Sequence, residues 1–176
     1  PICTGSSTTL TAVGGNVGSG AVYQWGTGST VGSSVIANAT SSTYSASPTS
    51  NTTYWVQLVG TSECTNASGG PTMTVTVDGT SVGGTVSGSG TVCTTGAYSL
   101  SLSGHTGSVT KWQYRNDVSG SCSSWADVVN TSTTQSGNLM GLNTNWEFRA
   151  VVQNGTCSAA NSTAGAILVV PSPSAS

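Results

Sequence analysis

The sequence predicts an all-β fold built from two tandem antiparallel β-sandwich domains, and three observations support it. The chain repeats itself: a cysteine-led segment opens each half, at Cys3 and again at Cys93. A period of about ninety residues suits one small β-sandwich and is too long for a solenoid unit. The 24 glycines, with many Ser, Thr, Val and Asn residues, oppose helix formation. Apolar residues also alternate with polar ones, and no stretch shows a 3.6-residue stripe.

The first predicted domain comprises residues 1–79. Its alternating pattern predicts four main strands, at 8–12, 21–25, 53–59 and 72–77. Shorter strands are expected around Val35 and Tyr44. They should end before Pro48, because proline is excluded from central strands. Glycine-rich turns separate the early strands. Trp25 lies on the apolar face of its strand and is the predicted core anchor of this domain.

The second predicted domain comprises residues 80–171, and residues 172–176 are a linker or ragged end. Its core anchors are predicted to be Trp112 and Phe148, which lie on the apolar faces of their strands. The outward positions of those strands carry charges, so we expect Lys111 and Arg115 to pair with Glu147 across the sheet. The other predicted features are alternation through 98–102, a hairpin strand near 125–129, a tight turn at 154–155 and a closing strand at 166–170.

Composition excludes several classes of function. Only eight residues are formally charged, whereas 31 serines and 29 threonines supply a hydroxyl-rich surface. The first domain has no Lys or Arg, so nucleic-acid binding is not expected. No apolar run approaches the ~20 residues of a spanning helix, so no membrane insertion is expected. His105 is the sole histidine and no CxxC pair exists, so the sequence predicts no metal, no cofactor and no enzymatic activity.

Two long patterns resemble a known family. Residues 2–77 read Ile-Cys-x-Gly-Ser-Ser-Thr-Thr-Leu-Thr-Ala … Tyr-Gln-Trp … Thr-Thr-Tyr-x-Val … Cys … Val-Thr-Val, which resembles the Ig-like repeats of very large Bacteroidetes-type surface and gliding adhesins. The second half, with Gly-Gly-Thr-Val-Ser-Gly … Val-Thr-Lys-Trp-Gln … Phe-Arg-Ala-Val-Val-Gln-Asn-Gly-Thr-Cys, resembles a sister repeat. The resemblance implies tandem Ig-like sandwiches, export through the bacterial outer membrane and display on the cell surface or in an extracellular fibre. It implies no catalytic residues.

Five cysteines in a small Ser/Thr-rich chain predict an oxidising compartment. The simplest pairing is one disulfide in each domain, Cys3–Cys64 and Cys93–Cys157. An alternative stays open, because the two cysteines of a domain can lie at opposite ends of a sandwich and then bridge neighbouring domains instead. Cys122 is left over, as a free thiol or an intermolecular cross-link. The sister repeat usually lacks a cysteine there.

Surface aromatic residues offer a second hypothesis. Trp55 lies on the opposite face from its apolar neighbours and Trp125 borders a polar loop, so both are candidates for stacking on sugar rings. Cross-strand packing is the competing interpretation. The chain also holds six Asn-x-Ser/Thr sequons, which are candidate glycosylation sites if the host modifies them: Asn38, Asn51, Asn66, Asn130, Asn154 and Asn161.

These observations favour a structural function. The chain is interpreted as a stalk or spacer segment of an extracellular bacterial adhesin or surface filament, with neighbouring Ig-like repeats or subunits of the same protein as partners. The alternative is a carbohydrate-binding module that recognises surface glycans. A third hypothesis, an ice- or mineral-binding surface, rests on a single Thr-x-Thr row at 72–76. The sequence has neither a signal peptide nor an initiator Met, which predicts Pro1 to be a processed terminus or the start of an excised segment.

Overall fold

In the computed structural model the described part of the chain is all β and contains no helix. The described residues are 1–14, 20–60, 69–118, 121–139 and 144–172. The chain divides into two compact units, Pro1–Asp78 and Gly79–Ser176. The predicted all-β fold of two tandem Ig-like β-sandwich domains is confirmed.

The first unit has seven strands in its described residues, arranged in three small sheets. They are β1 (Ile2–Cys3), β2 (Thr8–Thr11), β3 (Val22–Thr27), β4 (Thr43–Ala46), β5 (Thr52–Val59), β6 (Thr72–Val75) and β7 (Val77–Asp78). β3, β5 and β6 form one antiparallel sheet in that order. β2 pairs antiparallel with β4, and β1 pairs parallel with β7.

The second unit has ten strands in its described residues. They are β8 (Thr85–Ser87), β9 (Gly90–Cys93), β10 (Ala97–Ser103), β11 (Ser108–Val118), β12 (Ser121–Cys122), β13 (Ala126–Val128), β14 (Thr134–Asn138), β15 (Thr144–Gln153), β16 (Ala160–Asn161) and β17 (Gly165–Val170). One sheet has the order β14-β10-β8 and the other β12-β11-β15-β17-β9. β13 adds to β11, and β16 adds to β15.

Each unit has its own hydrophobic core. In the second unit the strand alternation of β10 turns every second side chain inward, and these side chains pack against Trp112 and Phe148, which are 0% and 3% exposed. In the first unit Trp25 is 3% exposed. It packs with five other buried residues, which are Leu10, Ala46, Tyr54, Val56 and Val75.

The two core tryptophans make the same polar contact. The indole N–H of Trp25 donates to the backbone oxygen of Ser41 at 2.8 Å, and that of Trp112 donates to the backbone oxygen of Ser132 at 2.8 Å. Each serine is followed two residues later by a threonine whose backbone N–H donates to the serine hydroxyl oxygen. The contact matters because a buried indole N–H without a partner costs about 1–3 kcal/mol. It also holds the residues just before β4 and β14 against the core tryptophan in the same way.

The cysteine-led segments also fold alike. Cys3 lies opposite Asp78 in the parallel pair β1–β7, and Cys93 lies opposite Val170 in the parallel pair β9–β17. After each cysteine a threonine donates from both its backbone N–H and its hydroxyl to the oxygen of the last strand. The sequence repeat is therefore a repeat of the first-to-last strand closure.

Trp55 is completely buried, and the prediction that it is exposed is wrong. Its indole N–H donates to the backbone oxygens of Thr27 and Ser33, at 3.2 and 2.9 Å, so the segment after β3 covers it. Gly26 lies directly opposite Trp55 in the β3–β5 ladder, and a Cβ at Gly26 would lie 2.1 Å from the indole ring. The missing side chain provides the space for the ring. A glycine inside an apolar strand was the signal that could have revealed this packing.

We expect Gly26→Ala to lower the free energy of unfolding by about 1–3 kcal/mol, because the added methyl group overpacks the indole site. Gly90→Ala is the matched control, since it also lies in a strand and a Cβ there would meet nothing within 4 Å. Urea denaturation of the whole chain, followed by tryptophan fluorescence, measures both. Equal stability of the two variants would contradict the packing described.

Candidate functional site

The outward face of β11, β13 and β15 concentrates the charges of the chain. Strand alternation places one charged or amide side chain at every second position, and the register aligns them across the sheet. Gln113 lies opposite both Arg149 and Asp127, and Arg115 lies opposite Glu147. We name this set the polar ladder; its members are Lys111, Gln113, Arg115, Asp127, Glu147 and Arg149.

The ladder is connected by hydrogen bonds and ion pairs. Lys111 Nζ lies 2.7 Å from Asp127 Oδ2, and Arg115 Nε lies 2.5 Å from Glu147 Oε2. Gln113 joins the first pair to Arg149, since it donates to Asp127 Oδ1 at 2.8 Å and accepts from Arg149 Nε at 2.8 Å. The expected Arg115–Glu147 pair is therefore present. Lys111 pairs with Asp127 instead of Glu147, because β13 brings that carboxylate closer.

Trp125 is covered by two guanidinium groups. Cζ of Arg149 lies 4.2 Å from the centroid of its ring and Cζ of Arg115 lies 4.6 Å away, both within cation–π distance. The side chain is half-buried. A sugar that stacked on the guanidinium side of this ring would have to displace the arginines. The stacking role of Trp125 stays a prediction. These two cation–π contacts hold Trp125, the residue just before β13, against the sheet.

The ladder shifts the pKa of two of its members. Burial, and then the nearby charge of Arg115, lower the pKa of Arg149. Hydrogen bonds from Lys111 and then Gln113 lower the pKa of Asp127. Asp127 is exposed, so the ion pair contributes little to stability. What it does contribute is present above the unfolded-state pKa and is lost as the pH falls through the lower folded-state pKa.

We expect Lys111→Met to raise the pKa of Asp127 toward its ordinary value, because the strongest hydrogen bond to the carboxylate is removed. A pH titration of the Asp127 side-chain carboxyl resonance by NMR measures the pKa. Thr91→Val is the control, since it changes an exposed strand residue outside the ladder. An unchanged pKa in Lys111→Met would contradict the assigned cause.

The cysteines differ from the predicted pairing. Cys93 carries a free, exposed thiol, so the Cys93–Cys157 disulfide is wrong. The strand register gives the reason. Cys93 lies opposite Val170, and the neighbouring Val169 lies opposite Thr144, the first residue of β15. Cys157, in contrast, comes after the last residue of β15. Ten residues of strand separate these positions by about 30 Å, and a disulfide needs Cα atoms within about 7 Å.

The other cysteines divide into bonded and free. Cys3 and Cys157 are each disulfide-bonded. Cys157 is 2% exposed, and its Sγ lies 3.2 Å from the backbone oxygen of Gly79. Cys122 is a free, exposed thiol, one of the two outcomes predicted for it. Cys64 lies outside the described residues.

We expect alkylation of the unreduced protein by iodoacetamide to label Cys93 and Cys122, whereas Cys3 and Cys157 become labelled only after reduction. Peptide mass spectrometry of the whole chain separates the four positions. Labelling of Cys3 and Cys157 after reduction in denaturant is the internal control that the reagent reaches every cysteine. Labelling of Cys157 before reduction, or protection of Cys93, would contradict these assignments.

The sequon asparagines fall into two groups. Asn38, Asn51 and Asn161 have exposed side chains. The amide nitrogen of Asn130 donates to Thr134 and Gln135, and that of Asn154 donates to Gly79, so a glycan on either would replace these hydrogen bonds. Asn66 lies outside the described residues. Glycosylation stays a prediction for all six sites.

No cluster of three or more His, Cys, Asp or Glu residues with metal-binding geometry occurs within the described ranges. That same part of the chain holds no helix long and apolar enough to span a membrane. His105, the sole histidine, has a buried Nδ1 that makes no hydrogen bond to the described residues.

Comparison with known proteins shows that the fold is that of Ig-like domains. A model of the family described as "Ig-like domain CHU_C associated" matches residues 1–78. A second family model matches residues 82–171, which is just over half of the chain. By that match the chain belongs to the family described as "Domain of unknown function (DUF8696)". A comparison with curated proteins found no match.

Two solved structures illustrate what the chain is similar to. The crystal structure of domains A168–A170 from titin has 16% sequence identity and a TM-score of 0.53; the match covers 92% of this chain and 59% of titin's. The crystal structure of the chicken CNTN1 FN1–FN3 domains has 16% identity and a TM-score of 0.39, covering 96% of this chain and 62% of that one. The chain thus spans about three fifths of each. At this identity the titin likeness shows the fold alone.

Proposed function

We propose that this chain is a structural repeat segment of an extracellular bacterial adhesin or surface filament, where it acts as a stalk or spacer for adhesion. The observation that carries the proposal is the tandem of two Ig-like units, each with a complete core of its own. A unit that needs no other part of the chain for its core can be repeated in series. Repetition then adds length without a new folding problem.

The surface chemistry supports the same role. Most outward strand positions carry Ser or Thr, and a hydroxyl surface stays hydrated without the salt dependence of charges. The disulfide-bonded cysteines suit an oxidising compartment and hence a location outside the cell. The family of the first unit suits the adhesin context that the sequence patterns suggested.

The expected partners are neighbouring Ig-like repeats or subunits of the same protein. We propose no enzymatic activity, since five of the six charged residues of the second unit are engaged in the contacts of the polar ladder. The glycan hypothesis loses the support of Trp55, which is buried, whereas Trp125 is half-buried with two arginines over its ring.

A replacement experiment in the native source protein tests the stalk role. Deleting residues 1–172 from the parent should reduce adhesion of the source cells, because the adhesive part loses reach. Replacing the same residues with two Ig-like units of unrelated sequence should restore adhesion, since a spacer contributes length and not contacts. Adhesion to the natural surface under flow is the readout.

Deletion without effect, or failure of the unrelated units to restore adhesion when surface display is equal, would overturn the proposal. Surface display is measured by labelling intact cells. The denatured mass of the native protein, with and without reductant, is the accompanying control: a mass far above 17.4 kDa that reductant leaves unchanged identifies a longer parent chain.

A further inference from the structure

Among the described residues of the second unit, aromatic side chains of both sheets line a cleft. A cleft of about 380 Å³ lies beside the edge strand β14. Its walls come from both sheets: Tyr98 and Asn138 belong to the β14-β10-β8 sheet, whereas Tyr114, Trp146 and Phe148 belong to β11 and β15. Small-molecule sites typically measure about 300–1,000 Å³, so the cleft is large enough for a small ligand.

The rings of the cleft form a continuous series. Tyr98 stacks on Phe148 at a centroid distance of 4.8 Å, Phe148 lies 6.4 Å from Tyr114, and Tyr114 lies 5.7 Å from Trp146. Tyr98 and Phe148 are buried at the base, whereas Tyr114 and Trp146 are half-buried. The two half-buried rings are therefore the ones that an incoming group meets.

One polar group in the cleft wall has no partner. Nε1 of Trp146 is buried and makes no hydrogen bond to the described residues, although the side chain itself is half-buried. Three of the other four tryptophans differ: Trp25, Trp55 and Trp112 each donate their indole N–H to a backbone oxygen. The terminal torsion of an aromatic side chain is soft, so the indole can reorient if a ligand in the cleft offers an acceptor.

We propose that this cleft binds a neutral saccharide, with the sugar ring packed on Tyr114 and Trp146 and a sugar oxygen accepting the Trp146 N–H. The described lining residues carry no charge, which disfavours an ionic ligand. A purely apolar group would leave the indole donor unpaired, whereas a sugar has both apolar C–H faces and acceptor oxygens. Asn138, exposed at the rim, adds an amide for a second polar contact. The site goes beyond the stalk role and does not depend on it.

The test uses the whole chain and named probes. Cellotetraose, xylotetraose, mannotetraose and chitotetraose are the neutral saccharides, trigalacturonic acid is the charged one, and indole represents an aromatic side chain of a protein partner. Binding is followed by ¹H–¹⁵N NMR at the Trp146 indole resonance, which is assigned by its loss in Trp146→Phe. We expect at least one neutral saccharide to shift this resonance with a dissociation constant below about 1 mM.

Variants separate the cleft from the rest of the surface. Trp146→Phe keeps an aromatic ring but removes the donor, so it should weaken binding about tenfold. Tyr114→Ala should weaken it by at least as much, because a stacking face is lost. Trp125→Phe is the matched control outside the cleft and should leave the dissociation constant unchanged. Near-UV circular dichroism verifies the fold of each variant.

Three results would overturn the proposal: no neutral saccharide shifts the wild-type Trp146 resonance, all of the variants bind equally, or only indole binds. The last result would assign the cleft to a protein partner. The first needs no variant, so a variant that fails to fold leaves the proposal testable. None of these results affects the replacement experiment on the stalk role.

Discussion

The fold of each unit depends on one buried tryptophan that must satisfy its own N–H. Trp25 and Trp112 fill the centre of their cores, and each donates to a serine backbone oxygen just before the next strand of the facing sheet. The ring supplies apolar area, and the hydrogen bond sets where the facing strand begins. With few charges available, this combination of burial and a directed polar contact is the main source of a unique arrangement.

The same constraint explains why glycine and hydroxyl residues are so frequent. A flat indole needs room, which Gly26 provides opposite Trp55. Serine and threonine then satisfy backbone and indole groups locally, as Ser41 and Thr43 do at the start of β4. The composition that first indicated a β-rich chain is thus also the composition that such tightly packed, short strands require.

Charge has a separate role in the second unit. The polar ladder crosses three strands, and its arginines lie over Trp125, so its charged groups contact one another and this ring. The opposite side of the same sheet carries the aromatic cleft, because strand alternation sends Lys111 and Arg115 outward and Trp112 and Tyr114 inward. One sheet therefore presents a self-paired outer face and an incompletely closed inner face.

The sequence by itself determined the fold class, the alternation of β10 and β15 and the core positions of Trp25, Trp112 and Phe148, since period-two patterns and large apolar residues report burial directly. Tertiary structure decided what depends on contacts between distant segments. Burial of Trp55 required the segment after β3 to fold over it. The free thiol of Cys93 followed from strand direction, and the cleft brings together residues of two sheets. Local patterns carry no information on these distances, because they are set by packing between strands far apart in the chain.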